Sequence, residues 1–154
     1  MSAADYRFVT RWQVPARPDR VWRELTDLDG IGTWWPGFER VDVVRRGEAS
    51  ALGTVCDCTV KSTLPVRLRF RLEVVAADPA RRVLEAVASG QLVGRGRMSL
   101  TAHAGRTEVE YLWEVHAARR VIRWLSPVAR PVFERNHDRV MAWGRDALVA
   151  RVAA

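Results

Sequence analysis

PVARPVFERNHDRVMAWGRDALVARV, residues 127–152, is the stretch whose reading decides the fold. Ser126 followed by Pro127 reads as an N-cap and first helical residue, because proline has no N–H to leave unpaired there. Ala129, Phe133, Asn136, Val140, Gly144 and Ala147 recur at steps of three and four and share one helix face. Arg135, Asp138, Arg139, Ala142 and Asp146 fall on the other. About 26 residues at 1.5 Å each predict a rod roughly 39 Å long, with Pro131 expected to kink its first turns. The inward stripe is unusual for a core helix. Ala129, Gly144 and Ala147 are small, while Asn136 and, at the edge, His137 are polar. A face of that kind either meets another backbone closely or borders a cavity.

Outward from this helix, the preceding chain alternates. Tyr6, Phe8, Thr10, Trp12 and Val14 share one side of a first strand. Pro18-Asp19 opens a short helix with the stripe Val21, Trp22, Leu25 and Leu28, and a second short turn carries Trp34, Trp35 and Pro36. Further strands are marked by Val41 and Val43, then by Cys56, Cys58 and Val60. The clearest strand sets Val66, Leu68, Phe70, Leu72 and Val74 against Arg67, Arg69, Arg71 and Glu73. Leu84, Ala86 and Ala88 mark a fifth, and residues 92–102 and 109–115 give two more, with turns at Asp78-Pro79, Ser89-Gly90 and Ala104-Gly105.

A two-residue loop at Ala104-Gly105 pairs His103 with Arg106 and hence Met98 with Tyr111 and Leu100 with Val109, so apolar residues meet on one face. The same register sets Arg95 opposite Glu114 and Arg97 diagonal to Glu110 and Glu114. These arginines, and the row Arg67, Arg69, Arg71, therefore read as cross-strand partners on a solvated face. Six strands in hairpin succession imply an antiparallel meander. Seven strands at about 4.8 Å span roughly 34 Å, whereas a helix with its side chains is about 10–12 Å across. A flat sheet would leave its apolar face wet. The expectation is an α+β fold: a curved antiparallel sheet of seven strands wrapped around the long C-terminal helix, with two short helices between strands 1 and 2. Gly94 and Gly96 are expected to permit the bend, and a hollow is expected between sheet and helix.

Composition narrows the rest. At 154 residues the chain is expected to be one domain, residues 1–154, burying roughly 68–70% of its unfolded surface. No run of eighteen apolar residues exists and the start lacks a signal-peptide layout, so the chain is read as cytoplasmic, without stable membrane insertion. The formal charge of +7 comes from 24 arginines and Lys61 spread along the chain, not from a basic arm, and specific nucleic-acid recognition is not expected. Cys56 and Cys58 would point to the same side of a strand, unable to bridge each other, and read as reduced core residues. Three dispersed histidines without metal-ligand spacing argue against zinc, and no glycine-rich phosphate loop or nucleophile elbow occurs, so no cofactor is expected.

The stretches VWRELTDLDGIGTWWPGFERV, residues 21–41, and NHDRVMAWGRDAL, residues 136–148, resemble the START-like (SRPBCC) superfamily. The branch is that of polyketide cyclase/dehydrase and lipid-transport proteins. The resemblance runs over nearly the whole chain and implies the helix-grip fold. It also implies functions ranging from lipid carriage and hormone reception to aromatase/cyclase chemistry. For aromatase/cyclase members the resemblance implies a deep pocket with an arginine, tyrosine or other polar groups orienting a poly-ketone chain. Here no arginine falls on the apolar face of strands three to seven, so no catalytic residue is carried over.

From strand parity, the candidate ligand-binding residues are Thr10, Trp12, Phe70, Met98, Tyr111 and Trp113. The helix adds Phe133, Asn136, His137 and Val140. Tyr111 and Trp113 would offer an apolar wall with hydrogen-bonding tips to an aromatic guest, or would simply fill the core. His137 reads as a structural histidine or as a general base. Residues 119–125, basic and tryptophan-bearing, suit a lid or docking turn, or contact with an anionic membrane. The leading expectation is a binding protein for a small hydrophobic molecule: a lipid, polyketide or other polycyclic or aromatic compound. A polyketide cyclase/dehydratase-type enzyme using Tyr111, Asn136 or His137 is the second reading. A protein-interaction module using Arg67, Arg69 and Arg71 is the third. The edge strands of such a sheet could also pair or pack to make a homodimer.

Overall fold

The computed structural model describes residues 6–61, 67–117 and 129–153. The expected Ser126-Pro127 cap, Val66 and the basic turn at 119–125 lie outside the described residues. The strand β1 (Tyr6–Val14) leads to α1 (Pro18–Thr26) and the single turn α2 (Ile31–Trp34). Then come β2 (Phe38–Arg45), β3 (Val55–Val60), β4 (Leu68–Asp78), β5 (Val83–Gly90), β6 (Leu92–His103) and β7 (Arg106–Ala117). The helix α3 (Ala129–Ala153) closes the described chain.

All seven strands form one antiparallel sheet in the order β1-β7-β6-β5-β4-β3-β2. The meander therefore runs only from β2 to β7. These are the six strands expected in hairpin succession, and the first strand, set apart from the second by the two short helices, pairs with β7 from Tyr6↔Val115 to Val14↔Thr107. Helices α1 and α2 make this switch: α1 packs on β6 and β7, and α2 on β2, so they carry the chain from one edge of the sheet to the other.

At the β6–β7 hairpin the register is the expected one, with His103 opposite Arg106, Met98 opposite Tyr111 and Arg95 opposite Glu114. Ala104 and Gly105 both take positive φ, 50° and 79°, the two-residue turn whose twist matches the strands. Gly94 has φ +156°, and a Cβ there would stand 2.7 Å from Val115 Cα, so the close approach of β6 to β7 requires glycine. Register shifts between Val74 and Ala76 in β4, and at two places in β2, add further irregularities.

Alternate residues of these strands bury against α3. Trp12, Val14, Val109 and Val115 from the sheet, Val21 from α1 and Leu148 from α3 are fully buried in one core. On the outer face the arginines meet carboxylates. Arg71 donates two hydrogen bonds to Asp57, at 2.7 and 3.0 Å, and holds that carboxyl below its usual pKa. Arg67 pairs with Glu39 and Arg11 with Glu110. Arg97 reaches Glu85 on β5, 3.6 Å away, rather than the glutamates expected on β7. Exposed, solvent-screened pairs like these add little to stability. Their effect here is to occupy the cations, which leaves little of the arginine row for an acidic partner.

Candidate functional site: the cavity between sheet and helix

α3 runs without interruption through Pro131, the third of its described residues. Phe133, Asn136, Val140, Met141, Gly144 and Leu148 are its buried residues. Gly144 does not face the hollow. The indole of Trp35, from the C-terminal end of α2, lies against it so closely that a Cβ would stand 2.6 Å from Trp35 Cζ2 and Nε1. That seat lets Trp35 Nε1 donate to the backbone carbonyl of Val140 at 2.8 Å. Sequence periodicity alone assigned Gly144 to cavity or close packing; a tryptophan from 109 positions earlier fills the gap.

A cavity of about 240 Å³ nonetheless lies between sheet and helix. Its room comes from the sheet. Ala86 pairs with Gly96, and both of these small residues line the cavity. From the strands, the wall takes Phe70, Met98, Tyr111 and Trp113; from α3 it takes Phe133, Asn136, His137 and Val140. Thr10 and Trp12 are not among its lining residues. They share the inward parity of β1, yet Trp12 is packed edge-on against Tyr111, 5.0 Å between ring centres, and tilted on Trp35 at 5.3 Å. Thr10 borders a separate polar groove between β1 and α3, with Arg130, Glu134 and Asp138. Parity gives the face of a strand, not the point along it at which the cavity begins.

The wall also includes Leu25 and Ile31 of the short-helix region, Phe38 of β2, and Cys56 and Cys58 of β3. The α1–α2 contribution carried no sequence signal of its own beyond the stripe on α1. It follows from the crossover that brings these helices onto the open end of the sheet.

Few polar groups reach this space. Arg97 borders it, but its guanidinium pairs with Glu85 on the solvated side. The Tyr111 phenol is pushed well above its ordinary pKa by burial and stays protonated. His137 stacks on Phe8 with ring centres 3.9 Å apart and planes 10° apart. Burial lowers its pKa to about 4, against the opposing pull of Asp138. Asp138 Oδ1 is 3.8 Å from His137 Nδ1, too far for a hydrogen bond, so desolvation wins and the imidazole is neutral at pH 7. Asn136 is buried, 6% exposed.

Both cysteines are free and buried. Burial raises Cys56 to about 11 and Cys58 to about 12, from 9.0. Two units remove about 99% of the thiolate at a given pH, and the thiolate is the nucleophile. At pH 8, iodoacetamide should label both at least about 100-fold more slowly in the native protein than in urea. Native labelling at the denatured rate would contradict this description of the wall. No group of three or more metal-binding side chains occurs among the described residues.

A sheet gripping a long helix with a cavity between them defines the helix-grip class. The family described as "Polyketide cyclase / dehydrase and lipid transport" matches residues 6–152, and the chain belongs to it. Among solved structures, the Zhui aromatase/cyclase from Streptomyces sp. R1128 is 20% identical, with a TM-score of 0.75 over 95% of this chain and 92% of that one. A protein from Thermus thermophilus is 17% identical, with a TM-score of 0.76 over 95% and 99%. A START superfamily protein from Mycobacterium smegmatis is 14% identical, with a TM-score of 0.74 over 96% and 97%. At these identities the likeness shows the fold. No curated protein sequence matches the chain. Among the described residues no helix is long and apolar enough to cross a membrane.

Proposed function

We propose that the protein binds a small, uncharged hydrophobic molecule in the cavity between the sheet and α3. The observation that carries this reading is a space of about 240 Å³ walled almost wholly by apolar side chains. A dry apolar cavity of about 150 Å³ is enough to hold benzene, so room for a somewhat larger ring compound is at hand. Among the described residues a carboxylate or ammonium would meet no buried counter-charge there, and its desolvation would cost several kcal/mol.

Catalysis of the cyclase or dehydratase kind is the second reading, favoured by the placement of Tyr111, Asn136 and His137 on the wall. The protonation states weaken it. A neutral imidazole whose conjugate acid has a pKa of about 4 is a poor base at pH 7, and a phenol whose pKa is raised by burial gives up its proton reluctantly. Binding therefore comes first, with shape as the remaining catalytic resource.

Calorimetry with 2-naphthol and 2-naphthoate tests the proposal. The alcohol should bind, and the carboxylate should be at least about 100-fold weaker. Ala86→Phe, which places a ring in the cavity, should abolish binding of the alcohol while the protein stays folded. Equal affinity for the two compounds, or unchanged binding in Ala86→Phe, would remove the cavity from the account.

A further inference from the structure

We infer that Gly96 and Trp113 act together as the size gauge of the cavity, selecting a flat, uncharged guest of about two fused rings. This rests on the cavity-binding reading above and adds to it the class of guest and the residues that choose it.

Gly96 on β6 and Trp113 on β7 are direct cross-strand partners. Side chains ordinarily stand off a sheet, and an indole doing so here would project into the space below α3. Instead the benzo edge of Trp113 leans over its glycine partner. A Cβ at position 96 would lie 2.6 Å from Trp113 Cε3 and 2.9 Å from Cζ3. Ordinary carbon contacts are about 3.5–4.0 Å, so the absent methyl gives the ring about 1 Å of depth. Beyond Gly96 the register continues to Ala86, which also leaves the floor low. On its other side Trp113 is opposite Phe8, whose ring is held by the His137 stack, so the indole has no equal seat in that direction. Phe70 lies 6.2 Å away at 49°, bounding the ring from β4.

Trp113 is half-buried and lines the cavity. The indole is therefore a platform for a planar guest, and the glycine beneath it sets how far that platform is from the helix. Stacked rings need about 3.5 Å of separation, so a loss of about 1 Å is enough to exclude a guest that fits in the wild type. The volume, about 240 Å³ against the roughly 150 Å³ that suits one benzene ring, puts the preferred guest near two fused rings.

The test compares phenol, 2-naphthol and 9-phenanthrol by calorimetry on the wild type, Gly96→Ala and Trp113→Leu, with thermal melting as the check of folding. The wild type should prefer 2-naphthol. In Gly96→Ala the affinity for 2-naphthol should fall about 10–200-fold, the range for a pocket short by one methylene, while phenol changes less than about 3-fold. In Trp113→Leu, which introduces no clash, the preference should move to 9-phenanthrol. If Gly96→Ala does not fold, the Trp113→Leu result alone decides. A wild type that binds these guests while the variants keep its order of preference would overturn the gauge and leave cavity binding standing. A wild type that binds none of the three would overturn both.

Discussion

Trp35→Ala should destabilise the protein by about 3–5 kcal/mol, the range for deleting a buried aromatic ring. For a domain of this size that corresponds to a fall of roughly 6–20 °C in melting temperature. The expectation rests on four ring contacts and one hydrogen bond. Trp35 is 4% exposed and meets Trp12 at 5.3 Å, Phe38 edge-on at 5.1 Å, Trp34 at 5.8 Å and Tyr111 at 6.2 Å. Its Nε1 donates to Val140 across the seat at Gly144. The residue thus joins α2, α3 and the sheet, and its loss opens a void that backbone on three sides cannot close. Trp35→Phe should recover most of the packing and lose the hydrogen bond, leaving a deficit of about 1–2 kcal/mol. A Trp35→Ala protein within about 1 kcal/mol of wild type in urea unfolding would show that α3 is held by other contacts.

Between pH 6.5 and about 4, stability should fall by as much as about 3 kcal/mol because of His137. In the unfolded chain this imidazole titrates near 6.5, while burial in the folded chain holds it neutral down to about 4. Within that window the unfolded state binds the extra proton and the folded state does not, so stability rises with pH. Its contribution is complete above about 6.5 and gone below about 4. The carboxyls of Asp19, Asp29 and Asp57 are lowered by Arg82, Arg46 and Arg71, and they withdraw their support at lower pH still. His137→Leu should flatten the pH 4–6.5 slope in urea unfolding. If wild type and variant show parallel curves through that window, the imidazole is not buried neutral.

The cavity wall was partly legible in the sequence because strand and helix periodicities are local. Met98 opposite Tyr111 follows from one turn at Ala104-Gly105, and the register of a hairpin cannot slip without turning its apolar residues outward. Phe133, Asn136 and Val140 follow from 3.6-residue spacing alone. Thr10 and Trp12 share that logic, yet they lie away from the cavity. Their distance along β1 from the hollow depends on how far Trp35 and Tyr111 reach, and no local period encodes that.

The amino-acid sequence by itself determined the strand and helix order, the inward faces, the β6–β7 register and the outward lie of the arginines, since each depends on residues near in the chain. Tertiary structure alone decided that β1 closes against β7, that Trp35 occupies the notch at Gly144, and that the empty volume sits over Ala86 and Gly96. These depend on which bulky side chain reaches which gap from a distant element. Close packing settles that competition only once all the surfaces are brought together.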